Sequence, residues 1–163
     1  MSEITFRNKV VKSDPETVRF ITKSTGFFEA VADEIDCAVG DVSDVLEHGE
    51  EAAGSYYIFM ELDGETIGYA SYGSVECTDG LFFMYWIVVR GDIRGKGYGK
   101  LLMRRAIEEQ KARGARKVVL QTSGREQYLP TRKFYIACGF TREAEITDFY
   151  LKGESTVYYT IEP

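Results

Sequence analysis

The chain has 163 residues, 44% hydrophobic and 13% aromatic, enough for one substantial core, with a formal net charge of −6. That acidic balance argues against a nucleic-acid binder, whose footprint is a basic face or stripe. Three isolated cysteines (Cys37, Cys77, Cys138) and a lone histidine, His48, argue against a disulfide framework, a His-containing triad and a zinc centre, so no metal site is expected. No apolar run approaches a membrane span, and Met1-Ser2-Glu3-Ile4 does not read as a signal peptide, so a cytoplasmic protein without membrane contact is expected.

Residues 1–163 read as a single domain, without repeats, low-complexity tracts or linkers. Ile4 to Val11 predicts a first strand. Ser13 or Asp14 caps a helix with Pro15 in its first turn, Val18, Phe20 and Ile21 on its apolar face and Gly26 at its stop. From Phe28 to His48 the spacing of Ala30, Val31, Ile35, Ala38, Val39, Val42, Val45 and Leu46 is helical, with Gly40 as an expected break. Asp33, Glu34, Asp41, Asp44 and Glu47 form its polar side and read as a solvated face. Ser55 to Leu62 and Glu65 to Val75 predict a hairpin turned by Asp63-Gly64. Leu81 to Val89 is apolar on both faces, as expected for a central strand covered by helices. A helix from Gly97 to Arg113 follows, with Leu102, Met103, Ala106 and Ile107 as its buried stripe and Gly114 at its end. Arg116 to Gln121 is a strand, Pro130 to Cys138 a short helix closed by Gly139, and Phe140 to Leu151 and Thr156 to Ile161 two final strands joined around Gly153. The crossover rule makes the strands before and after the Gly97 helix a parallel pair.

The most informative stretch is the strand–loop–helix junction from Val88 to Lys100. Such a junction leaves amide N–H groups unpaired at the positive end of a helix dipole. Its glycines allow close approach to bare backbone, and Arg94, Lys96 and Lys100 add cations, so it reads as a diphosphate cradle. A nucleotide P-loop is excluded because Gly99-Lys100 is followed by Leu101 and Arg94 stands five before Gly99. A Gly-x-Gly-x-x-Gly loop fails too: from Gly95 the third glycine is Lys100, and from Gly97 it is Leu102.

What does fit is Arg94-x-x-Gly97-x-Gly99 after a strand, which resembles the acyl-CoA binding signature of the GNAT superfamily of acyltransferases. Tyr128 to Phe140 is similar to that family's second signature: Thr131 takes the small position, Phe134-Tyr135 the aromatic pair and Gly139-Phe140 the terminus. The resemblance extends from Ser55 to Ile161. It implies an α/β (α+β) fold with a mixed, mostly antiparallel central sheet flanked by helices on both faces. It also implies an N-acetyltransferase that moves an acetyl group from acetyl-CoA to a primary amine by direct attack. The acceptor would be a small molecule or a peptide amine. A catalytically silent CoA-binding sensor or interaction module of the same fold is the alternative.

The resemblance assigns residues as well. Arg94, Gly95, Lys96, Gly97, Tyr98, Gly99 and Lys100 would hold the diphosphate. Ile87, Val88 and Val89 form the strand end, where Ile87 and Val89 would bond the pantetheine arm through the main chain. Phe134 would pack on that arm, and Thr131 and Tyr128 would lie beside the cofactor, Tyr128 standing where many relatives have asparagine. Tyr135 is the general acid for the leaving thiolate; the competing reading is plain core packing. Relatives that carry a glutamate before the glycine loop are not matched here, since Phe82 to Trp86 lacks a carboxylate. Glu76 is the candidate base, with Asp79, Asp148, Tyr85 or water as alternatives, and Tyr85 and Asp148 are candidate acceptor contacts; the resemblance also sets the early helical region at the border of the acceptor site, where some of its acids would touch substrate. Arg132 and Lys133 read as phosphate contacts or as solvated basic residues. Phe149, Tyr150, Tyr158 and Tyr159 suit an acceptor pocket, a sheet face or a homodimer contact.

Overall fold

The computed structural model describes residues 1–28 and 33–163. In chain order the elements are β1 (Ile4–Arg7), α1 (Asp14–Ser24), α2 (Glu34–His48), α3 (Glu50–Ala53), β2 (Tyr56–Leu62), β3 (Glu65–Ser74), β4 (Leu81–Val89), α4 (Tyr98–Ala112), β5 (Lys117–Ser123), α5 (Leu129–Ala137), β6 (Thr141–Leu151) and β7 (Glu154–Ile161). The strands form a seven-stranded sheet in the order β1-β2-β3-β4-β5-β7-β6. β4 and β5 pair in parallel, as the crossover rule requires, while β1–β2, β2–β3, β5–β7 and β6–β7 are antiparallel. Among the described residues, no helix is long and apolar enough to cross a membrane.

The chain divides into two compact units, Met1–Gly73 with Tyr85–Ala106, and Ser74–Met84 with Ile107–Pro163. In the first, α1 and α2 bring Val18, Ile21, Ala38, Val42 and Val45 onto one face of the β2–β3 hairpin, against Tyr57, Phe59 and Tyr69. Full burial of each such side chain contributes about 1.5–3 kcal/mol. α4 meets the opposite face of this unit: Arg105 lies over the Phe6 ring at 5.2 Å, and Phe6 pairs with Met60 rather than Phe59. The hairpin turn is the predicted one, with Asp63 (φ 50°) and Gly64 (φ 85°) both left-handed.

Several expectations for this unit are corrected. β1 ends at Arg7, because the chain folds back onto Asp14. The Asp14 carboxylate takes both ends of the Arg7 guanidinium (2.8 and 2.9 Å) and the Val11 amide (2.7 Å). Phe20 is 61% exposed, since the inward face of α1 belongs to Val18, Ile21 and Thr22. Gly40 does not break α2, which runs on from Glu34 through His48 on the packing of Ala38, Val42 and Val45. The expected start of that helix, including Ala30 and Val31, lies outside the described residues. α3, set between Gly49 and Gly54, was not anticipated. β4 is not covered throughout: Phe82, Met84 and Val88 are buried, but Tyr85 is 43% exposed.

In the second unit β5, β7 and β6 form an antiparallel ladder with Val118, Leu120, Val157 and Tyr159 buried. β6 is exposed along nearly its whole length. Its register jumps from Ile146↔Thr156 to Leu151↔Glu154. Asp148 sits in that bulge with φ 53°, and its carboxylate accepts the Gly153 amide at 2.7 Å.

Candidate functional site

β4 hands the chain to the loop through Arg90, whose guanidinium pairs with Asp92 (2.6 Å) and Glu65 (2.7 Å). That arginine holds the exposed Asp92 carboxyl below its ordinary range, with a smaller push from Lys96. A 3-10 turn over Gly91–Ile93 follows. The Gly91 amide donates to the Ser24 hydroxyl (3.0 Å), and a Cβ on Gly91 would run into the Ser24 carbonyl oxygen, so only glycine lets the loop lie this close to the end of α1. Arg94 completes the tie. It donates to the Thr25 carbonyl (2.7 Å), its guanidinium lies 4.4 Å over the Phe27 ring, and burial lowers its pKa.

Beyond Arg94 the loop stands clear. Gly95 (φ 79°) and Gly97 (φ 86°) are left-handed, and a Cβ on either would meet no heavy atom within 4 Å. Glycine is required there for backbone conformation, not for space. The first return bond of α4 runs from the Leu101 amide to the Gly97 carbonyl (3.2 Å). The amides of Tyr98, Gly99 and Lys100 precede it and have no acceptor inside the helix. Lys96 and Lys100 are exposed on either side. Left-handed glycines, free first-turn amides and two lysines suit the oxygens of a diphosphate. Ile87, Val88 and Val89 lead into this loop as the last residues of β4, with Val88 buried.

In the second unit a 3-10 turn over Glu126–Tyr128 leads into α5, with Pro130 in its first turn. Tyr135 is buried, 7% exposed, with ring centroids 5.7 Å from Phe134, 6.1 Å from Phe140 and 5.7 Å from Tyr159. Burial drives its pKa far up, with smaller pushes from Cys138 and neighbouring tyrosines. The phenol is therefore neutral over the physiological range and can donate a proton, not accept one. Thr131 and Phe134 are half-buried and Tyr128 is buried. Arg132 is occupied within the unit, donating to the Ser123 (2.8 Å) and Arg125 (2.7 Å) carbonyls.

Glu76 lies exposed in the β3–β4 connection, beside Cys77 with φ 60°. Asp148 serves the β6–β7 hairpin, as described above. Tyr85 is half-exposed, with its pKa raised by burial and then by Asp41. Asp41 belongs to the acids that read as a solvated helix face, in the early region that the resemblance sets at the border of the acceptor site. Its carboxylate accepts the indole N–H of Trp86 at 2.8 Å. The signal available was its position three after Ala38 and four before Val45, at the border of the buried stripe.

The profile of the acetyltransferase (GNAT) family matches residues 15–140. The chain belongs to the GNAT family. It is 31% identical over 120 residues to N-acetylaspartate synthetase of Danio rerio, a match that takes in 73% of this chain and 42% of the relative, so the chain spans about two fifths of that protein's length. A solved structure assigned to the GNAT family from Desulfovibrio desulfuricans superposes with a TM-score of 0.92 at 35% identity, over 98% of this chain and 99% of that one. A Salmonella typhimurium protein solved with acetyl-CoA superposes with a TM-score of 0.75 over 98% of this chain and 93% of that one; at 18% identity the likeness is one of fold. The seven-stranded, mostly antiparallel sheet with its parallel β4–β5 pair is the fold of that family.

Proposed function

We propose that this GNAT protein transfers an acetyl group from acetyl-CoA to a primary amine by direct attack. The observation that carries the proposal is the loop at Gly95 and Gly97, whose left-handed backbone opens onto unpaired first-turn amides between Lys96 and Lys100. Acetyl-CoA, the molecule bound by the Salmonella typhimurium structure of the same fold, supplies the acetyl group as a thioester. The amides of Tyr98, Gly99 and Lys100 bind its diphosphate, with Lys96 and Lys100 adding charge and Arg94 holding the loop against Thr25. Main-chain groups of Ile87, Val88 and Val89 take the pantetheine arm, and Tyr128, Thr131 and Phe134 complete the cofactor contacts.

In the transfer the amine nitrogen bonds the acetyl carbon as the carbon–sulfur bond breaks. Tyr135 gives the departing sulfur its proton and regains one from water. The surplus proton of the amine goes to a carboxylate or to water. Glu76→Gln tests the first route: a lower rate at unchanged acetyl-CoA affinity supports Glu76 as base.

The deciding experiment is release of free thiol from acetyl-CoA across a panel of primary amines. Turnover with at least one amine is expected. Tyr135→Phe should cut it by about 100-fold, the scale of general acid catalysis, with acetyl-CoA affinity unchanged. Full turnover in that variant removes Tyr135 from the reaction, and absence of acetyl-CoA binding by the unmodified protein overturns the whole reading.

A further inference from the structure

The last turn of α1 ends against the loop that enters α4. Within that turn the Ser24 hydroxyl donates to the Ile21 carbonyl (2.6 Å), the Thr25 hydroxyl to the Thr22 carbonyl (2.8 Å) and the Gly26 amide to the Lys23 carbonyl (3.2 Å). The Thr25 carbonyl is taken from outside the helix, by Arg94. Carbonyls at a helix C-terminus carry about half a negative elementary charge, and amides at an N-terminus about the same positive charge. The loop over 90–97 therefore lies between helix ends of opposite sign, the negative end of α1 at Ser24 and Thr25 and the positive end of α4 at Tyr98. An anion on α4 is repelled by the end of α1 unless a cation stands there. Arg94 is that cation.

Phe27 fixes the guanidinium. Arg94 Cζ lies 4.4 Å from the centroid of its half-buried ring. The Phe27 amide donates to the Thr25 hydroxyl (3.3 Å), so ring and carbonyl belong to one tight turn, in which Gly26 is left-handed with φ 71°. That turn is pinned on both sides. The Gly91 amide donates to the Ser24 hydroxyl (3.0 Å), and Phe28 packs edge to face on Trp86 with centroids 5.8 Å apart. An arginine held over a ring and by a carbonyl is ordered before any ligand arrives, so binding does not have to order it. Its charge is then fixed at the point where it offsets the end of α1.

We propose that Phe27 is a positioning residue for the acyl donor: through Arg94 it keeps the loop in the form that receives the diphosphate, which makes the end of α1 part of the donor site. Phe27 lies outside the glycine motif, just past the Gly26 that stops α1. It acts on Arg94, not on the thioester. This role rests on the acetyl-CoA reading above.

The test is calorimetric titration of acetyl-CoA across a double-mutant cycle. Phe27→Leu keeps apolar bulk and loses the ring, and should weaken acetyl-CoA binding about fivefold. Arg94→Gln keeps a donor for the Thr25 carbonyl and loses the charge, and should weaken it about tenfold. The double variant should bind no worse than Arg94→Gln alone, because Phe27 acts only through the guanidinium. Phe27→Trp restores a ring and should bind within about twofold of the unmodified chain. With the best amine of the panel, the KM for acetyl-CoA should rise in step with Kd in Phe27→Leu, at unchanged kcat. A purely structural phenylalanine would lower Tm and leave Kd alone. Unchanged affinity in Phe27→Leu, or an equal loss with and without Arg94, overturns the role; should leucine unseat the turn, Phe27→Met takes its place in the cycle. Failure of the unmodified chain to bind acetyl-CoA sinks the acetyltransferase reading, whereas normal binding with an indifferent Phe27→Leu sinks only this role.

Discussion

The loop entering α4 offers main-chain amides, in the open, shaped by two left-handed glycines. The centre of α5 offers one phenol, buried among Phe134, Phe140 and Tyr159. The first depends on backbone conformation and tolerates almost any side chain that keeps it. The second depends on packing and tolerates almost no change of volume. On the proposed reading, the diphosphate is held by the least specialised atoms of the chain, and the proton is given by one side chain in a closed setting.

The largest effect should come from removing the packed ring. Tyr135→Ala leaves a cavity among aromatic neighbours and should cost about 3–5 kcal/mol of stability, measured by the denaturant midpoint. A loss below about 1 kcal/mol would mean that the cluster is looser than its ring distances imply. Gly97→Ala should act the other way round. The added methyl has open space, so the penalty is the left-handed φ alone, about 1–2 kcal/mol. If that strain is relieved by remodelling the loop, acetyl-CoA affinity falls about tenfold while the fold melts nearly as before; unchanged affinity by calorimetry would show that the left-handed turn is not what binds the diphosphate.

The smallest effect separates the two regions by pH. Burial raises the Tyr135 pKa above the ordinary tyrosine value. A raised folded pKa contributes stability that is complete below the unfolded value, about 10, and is lost as pH climbs from there toward the folded value. By one pH unit above that point the loss should approach about 1 kcal/mol per buried tyrosine. Chemical denaturation at pH 9 and pH 11 should show a shallower fall for Tyr135→Phe than for the unmodified chain. Equal slopes would contradict the burial argument.

Much of the loop was legible because its constraints are local. The β4 run from Leu81 to Val89, the Asp63-Gly64 turn and the start of a helix one residue after Gly97 all follow from period, turn chemistry and glycine placement within a few residues. What local pattern does not show is which side chains meet across a turn or between elements. Nothing near Arg7 announces that Asp14 will end β1 by taking its guanidinium. Arg94 reads as a phosphate contact from its place in the motif, whereas its bond to the Thr25 carbonyl, 69 positions away, has no local signal. Asp41 read as one more solvated acid, and Trp86, which it holds, lies 45 positions on. Asp148 reads as a candidate acceptor contact, and no local pattern foretells the bulge in which its carboxylate accepts the Gly153 amide.

By itself, the sequence determined where backbone is free to bend and where it must run straight: glycines permit left-handed φ, and apolar periods of two or about 3.6 select strand or helix before any distant contact forms. Only the tertiary structure decided which polar groups meet. It set Tyr57 opposite Ser71 with no hydrogen-bond partner for either hydroxyl among the described residues, brought Asp41 to the Trp86 indole, and closed the aromatic rings around Tyr135. Those outcomes depend on register and on helix placement: one residue of slip along β2 or β3 would turn Tyr57 or Ser71 to the other face, and Asp41 and Tyr135 are where α2 and α5 put them.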